Sequence, residues 1–95
     1  AYTVVNAKKA DKEADETITV AGKCCESGDL IQENTKVACV EVGDILAVLS
    51  TGAYNYSMAS NYNRIPRPAM IMVNNGKSRV IIKRESFEDI VKNDL

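Results

Sequence analysis

The chain has 95 residues, 45% of them hydrophobic and 26% charged, with 12 Lys+Arg against 13 Asp+Glu and a formal charge of −1. That length sets the limit at one domain with a thin core, because a chain of this size buries only about 60–65% of the surface its unfolded form exposes. The even mix of signs gives neither a basic nucleic-acid face nor an acidic tail, and the absence of histidine removes the commonest metal ligand and neutral-pH acid–base group.

The dominant local period is two. Tyr2-Thr3-Val4-Val5 is rich in β-formers, and Thr17-Ile18-Thr19-Val20 alternates as a half-buried strand does. The polar run 6–16 between them reads as an exposed loop joining two antiparallel strands, with Lys8, Lys9 and Lys12 as solvated charge. Val37-Ala38-Cys39-Val40 fits a short strand or a buried turn. Glu41-Val42-Gly43-Asp44 reads as a structural turn, and Ile45-Leu46-Ala47-Val48-Leu49 after it as a buried strand. Residues 54–60 contain no Gly or Pro, which suits two turns of helix. Arg64-Ile65-Pro66-Arg67-Pro68 is expected to be extended, since each proline fixes φ and lacks an amide donor. Its two arginines either pair with carboxylates or sit solvated, the commoner case. Two apolar runs, 69–73 and 79–83, flank Asn74-Asn75-Gly76-Lys77 and make the clearest hairpin of the chain. Ser86, with Asp89 three residues on, signals the start of a short helix. These elements predict a mainly β domain with one or two short helices.

The three cysteines, Cys24, Cys25 and Cys39, are odd in number and two are adjacent, which argues against a disulfide framework. Zinc spacing is absent, so no metal site is expected. A reduced, cytoplasmic setting follows. No run approaches the roughly 20 apolar residues of a membrane span. Ala1 stands where an initiating Met would, so a piece of something longer is expected.

Two segments carry chemistry. Gly22-Lys23-Cys24-Cys25-Glu26-Ser27-Gly28-Asp29 leaves a strand and enters a loop, where a sheet can position residues that the loop exposes. An ordinary thiol holds its proton at neutral pH and can give it to a carbanion. Free cysteines are more often small buried hydrophobes, the reading kept for Cys24 and Cys39 and, on local grounds alone, favoured for Cys25 as well. The second segment is Ser50-Thr51-Gly52-Ala53-Tyr54, followed by Tyr56 and Tyr62-Asn63. Three of the four tyrosines lie here. Its hydroxyls and amides suit a phosphate, or its rings cap the β core; the two readings are evenly matched.

Together these segments resemble the C-terminal region of the diaminopimelate decarboxylase family. The motifs are Gly22 with Cys25-Glu26-Ser27-Gly28-Asp29, then Gly43-Asp44, Gly52-Ala53-Tyr54, Tyr62-Asn63, Arg67-Pro68, Lys83-Arg84-Glu85 and Glu88-Asp89. They run over essentially the whole chain. The resemblance implies a β-sandwich or barrel domain of a fold type III pyridoxal-phosphate decarboxylase. Residues 1–95 would be that single C-terminal domain, without the N-terminal (β/α)8 barrel that holds pyridoxal 5'-phosphate on a lysine, and Ala1 would lie near a strand leaving the barrel.

The resemblance further implies a homodimer acting on meso-diaminopimelate to give lysine, each active site being completed by the β domain of the other subunit. In that scheme Cys25 is the proton donor, Glu26 reads the distal ammonium of the substrate in the partner's site, and Tyr54 contacts the cofactor phosphate or substrate in its own. The piece alone would be inactive. Tyr62 and Asn63 are expected to be supporting residues. Cys24 stands where many relatives have an apolar residue, and Met70 where many have Glu. Two alternatives remain. One is a non-catalytic β module that docks on a barrel, which has no need to keep Cys25-Glu26 together. The other is the C-terminal domain of an ornithine or arginine decarboxylase, which Glu26-Ser27 disfavours.

Overall fold

Alternation lays down the longest regular ladder. In the computed structural model, which describes residues 2–95, β2 (Glu16–Ala21) turns every second side chain inward and pairs antiparallel with β3 (Leu30–Val37). The register slips twice. Ile18 faces Thr35 but Val20 faces Gln32, and Ala21 then faces Leu30, so β3 carries two more residues than β2 along the ladder. Asn34 takes the left-handed φ of 51° at the first slip, and its amide donates to Thr19 Oγ1 at 3.3 Å. Asn adopts that conformation at low cost.

The second ladder joins β1 (Val4–Asn6) to β4 (Leu46–Val48), with Val4 opposite Val48 and Asn6 opposite Leu46. Backbone bonds from Ala7 N to Ile45 O (2.8 Å) and from Leu49 N to Thr3 O (2.9 Å) extend it at both ends. The polar run after β1 begins with a 3-10 turn over Ala7–Lys9, capped by Asn6 Oδ1, which accepts from Lys8 N. It does not link paired strands: β1 and β2 belong to different ladders. Lys9 also departs from the solvated reading, because its Nζ donates to Cys39 O at 2.9 Å. β4 is shorter than expected and only half-buried, with Ile45 and Leu49 exposed. Among the described residues it has one partner strand, β1.

These elements, with the turn after β4, form a compact unit that ends at Tyr56; Ser57–Leu95 forms a second. Helix α1 (Asn55–Met58) is a single turn at the junction, half the expected length. In the second unit a 3-10 turn, Tyr62–Arg64, precedes the proline segment. Ile65 is extended, as a residue before proline must be, but Asn63 and Arg64 both take left-handed φ, 59° and 57°. The hairpin forms as predicted. β5 (Met70–Asn74) pairs with β6 (Lys77–Ile82) across Asn75-Gly76, whose φ values of 52° and 71° make the turn that matches strand twist. Met70 opens β5 opposite Ile82, and a bulge at Ile81 follows. Helix α2 (Phe87–Val91) starts on the expected capping box: Ser86 Oγ accepts from Asp89 N, and Asp89 Oδ2 accepts from Ser86 N. The Ser86 backbone N–H first, and then its hydroxyl, hold the Asp89 carboxyl below its usual range.

The described residues are thus mainly strand with two short helices. The buried apolar core is small: Val4, Val37 and Ala38. Among them lies one buried polar side chain, Asn6, 1% exposed. Its Nδ2 donates to Asp44 Oδ2 (3.0 Å) and Cys39 O (3.3 Å). Asp44 in turn accepts from Glu41 N at 2.9 Å and closes the expected turn, in which Gly43 takes φ 97°. Asn6→Ala withdraws one donor from both acceptors and is expected to cost about 1–3 kcal/mol of stability. Chemical denaturation of the intact protein checks this; an unchanged midpoint would remove Asn6 from its bridging role.

Candidate active site

The loop 22–29 hangs from the last β2–β3 pair, Ala21 opposite Leu30. Gly22 N donates to Asp29 O at 2.8 Å and continues the ladder by one step. Inside the loop Glu26 N donates to Cys24 O (2.9 Å), Asp29 N to Glu26 O (3.0 Å), and Cys24 N to Asp29 Oδ2 (2.7 Å). This short circuit turns Cys25 and Glu26 outward. Both are exposed, while Cys24 is half-buried. Burial, and then the Asp29 charge beside it, raise the Cys24 thiol above its ordinary range, so it stays protonated. The small-buried-hydrophobe reading of Cys25 and Cys39 does not hold, for both are exposed. Cys39 faces Glu16, whose charge, ahead of burial, raises its thiol as well.

The second candidate segment follows β4. Ser50 turns the chain with a left-handed φ of 59°, Thr51 Oγ1 reaches Val48 O at 3.5 Å, and Asn55 N donates to Thr51 O at 3.2 Å. The turn presents Tyr54 with 74% of its surface exposed. It does not cap the core. Space beside Gly52 is open, since a Cβ there would meet nothing within 4 Å. An exposed phenol beside an open glycine turn suits an anionic group such as a phosphate, so the donor present fits the cofactor that the motifs imply. Cys25 and Glu26 are neighbours on one loop; Tyr54 stands on a separate turn.

In the second unit a carboxylate gathers the chain. Glu85 Oε1 accepts from Arg67 N (2.6 Å) and Asn61 Nδ2 (2.7 Å), and Oε2 meets Arg67 Nη1 at 3.3 Å. Arg67 also reaches Ala59 O (3.2 Å) through Nε and Asn61 Oδ1 (3.2 Å) through Nη1. Arg64 pairs with Asp94 at 3.1 Å. Neither arginine is merely solvated, because each meets a carboxylate from a later segment. Among the described residues no cluster of three or more Cys, Asp or Glu is placed to hold a metal ion, and no helix is long and apolar enough to cross a membrane.

Residues 1–52 match the family described as "Pyridoxal-dependent decarboxylase, C-terminal sheet domain". The chain belongs to that family. Among its relatives is the diaminopimelate decarboxylase of Bacillus subtilis (strain 168), 52% identical over 94 residues, 99% of this chain and 21% of that protein. The crystal structure of diaminopimelate decarboxylase from M. jannaschii superposes with a TM-score of 0.88 at 36% identity, over 99% of this chain and 21% of that one. A structure of the same enzyme in co-complex with L-lysine gives 0.86 at 37% identity, over 97% of this chain and 21% of that chain. The chain thus spans about a fifth of the length of the proteins it matches.

In the second unit, the Asn61–Arg67–Glu85 knot is what sequence reading missed. Each residue is ordinary alone, and Glu85 lies 18 positions from Arg67; only the Arg67-Pro68 and Lys83-Arg84-Glu85 motifs hint that the two segments matter. The Arg67 backbone N–H first, then the Asn61 amide, hold the Glu85 carboxyl below its usual range. A lowered folded-state pKa means that the unfolded chain takes up the proton first as pH falls. The contribution of Glu85 is therefore fully present above the ordinary glutamate range, about 4.3, and is lost as pH drops through the lower folded value. Glu85→Gln is expected to flatten the fall of melting temperature below about pH 4.5. An acid slope identical to wild type would show that Glu85 carries none of it.

Proposed function

We propose that this chain is the C-terminal part of a pyridoxal-phosphate-dependent diaminopimelate decarboxylase, a lyase of lysine biosynthesis that converts meso-2,6-diaminopimelate to L-lysine and CO2. In this reading residues 1–95 are one C-terminal domain, joined to an N-terminal cofactor-binding barrel and paired with a second subunit in a cytoplasmic homodimer. The observation that carries it is the loop on which Cys25 and Glu26 stand exposed and adjacent, tied at its base, in a chain half identical to diaminopimelate decarboxylases. The exposed apolar side chains of the β5–β6 hairpin, Ile71, Met72, Val73, Val80 and Ile81, support a larger assembly that covers them.

Pyridoxal phosphate, when bound, would supply the electron sink that loss of a carboxylate from Cα requires. Tyr54 would hold its phosphate through the phenol hydroxyl, or touch the substrate, in its own subunit. Cys25 reaches into the partner's site, gives its Sγ proton to Cα, and regains a proton from water. Glu26 accepts hydrogen bonds from the distal ammonium of the substrate, a charge-assisted contact that a substrate lacking that group cannot make. A proton placed by a loop rather than drawn from bulk water also reaches a defined face of Cα.

In the full-length enzyme Cys25→Ala is expected to lower kcat about 10²–10⁴-fold with a far smaller change in KM, because a proton donor acts in the transition state. An unchanged kcat removes Cys25 from the reaction. Glu26→Gln is expected to reduce the kcat/KM preference for meso-diaminopimelate over shorter diamino acids about 10–100-fold. Wild-type discrimination would count against its assignment. Preference of the parent enzyme for ornithine or arginine over meso-diaminopimelate would overturn the substrate itself.

A further inference from the structure

Asp29 engages the Cys25 loop through three of its own polar groups. Its carbonyl accepts from Gly22 N at 2.8 Å, its amide donates to Glu26 O at 3.0 Å, and its Oδ2 accepts from Cys24 N at 2.7 Å. Cys25 lies between two residues whose backbones are thereby fixed. On one side the Cys24 amide is held by the Asp29 carboxylate. On the other, Glu26 N is bonded to Cys24 O and Glu26 O to Asp29 N. The direction in which Cys25 leaves the chain follows from these bonds, since a side chain is set by the peptide planes on either side of it.

Two glycines make room for this. A Cβ at residue 22 would fall on the Asp29 carboxylate, and a Cβ at residue 28 on the Glu26 carboxylate. Neither glycine has a positive φ; among the described residues Gly43 and Gly76 do. Gly22 and Gly28 therefore serve by leaving space, not by allowing an unusual backbone. Gly22 gives the Asp29 carboxylate its seat against the loop base. Gly28 lets the Glu26 carboxylate fold over the turn.

We propose that Asp29 is a positioning residue for proton delivery: its carboxylate, seated against Gly22 and bonded to the Cys24 amide, aims the Cys25 thiol. The proposal rests on the proposed function, in which Cys25 is the donor. Asp29 touches no reacting atom and acts through Cys25. Its removal therefore matters only while that thiol is present.

A double-mutant cycle in the full-length holoenzyme tests this. Asp29→Ala, Asp29→Asn and Gly22→Ala are made alone and with Cys25→Ala, and kcat and KM are measured for meso-diaminopimelate. Asp29→Ala alone is expected to lower kcat about 10- to 100-fold, the scale of a misplaced catalytic group, with KM within about threefold. Gly22→Ala, which displaces the carboxylate without removing it, should reproduce the loss and stands independently if Asp29→Ala does not fold. Asp29→Asn keeps an acceptor of the same reach and should recover most of the activity. In the Cys25→Ala background each change should cost less than about twofold. Equal losses in both backgrounds, no recovery by Asn, or wild-type kcat in the single variants would each overturn the positioning role. Wild-type kcat in Cys25→Ala alone is a different result: it overturns the donor role that the proposed function gives to Cys25.

Discussion

The side-chain amide of Asn6 meets three stretches of the first unit at one buried point: the 3-10 turn after β1, the carbonyl of Cys39 beyond β3, and the Asp44 turn before β4. Few apolar side chains are buried around it, so these bonds do more of the holding than in a domain with a large core. Because β4 can meet β1 only if the turn at Asp44 closes, the second ladder depends on that amide. The Glu41 amide and then the Asn6 amide hold the Asp44 carboxyl below its ordinary range, so the turn keeps its acceptor charged. Tyr54 inherits its place from the same ladder, since the turn that presents it begins two residues after Val48.

Where a local rule governs, the sequence announces the element. Asn75-Gly76 between apolar runs has one good solution, and the β5–β6 hairpin adopts it. Ser86 with Asp89 names the start of α2. Strand β3 leaves no clear signal for a physical reason: its two register slips break the alternation that marks a strand. The site follows the same division. Cys25, Glu26 and Tyr54 stand out as candidates through the family resemblance their motifs carry, since local chemistry alone favours a buried thiol and leaves the tyrosine undecided. That Cys25 would be exposed could not be read locally, because free thiols are usually buried and only the closure by Asp29 turns this one out. Long-range knots such as Asn61–Arg67–Glu85 leave no periodic trace at all.

Membership in a decarboxylase family gives the exposed loop its meaning, and the loop in turn gives a physical account of the motif. Cysteine, glutamate, glycine and aspartate in that order are not four separate requirements. The thiol stands exposed on a base that Asp29 and Gly22 set, and Gly28 yields room for the Glu26 carboxylate. Replacing Glu26 by a shorter acid would leave the loop's backbone bonds intact, since those use only its N and O. The side chain at position 26 and the loop geometry can therefore vary independently.

The bulge at Ile81 bears on association. Each strand of the β5–β6 hairpin has one ladder edge without a partner among the described residues, and an open edge with Ile, Met and Val beside it is a template for stacking like strands. The extra residue bends β6 and spoils the regular spacing of donors and acceptors along its outer edge. Lys77, Arg79 and Lys83 add like charges that repel a second copy laid alongside. The hairpin thus carries exposed apolar side chains while refusing the indiscriminate edge-to-edge pairing that leads to fibres.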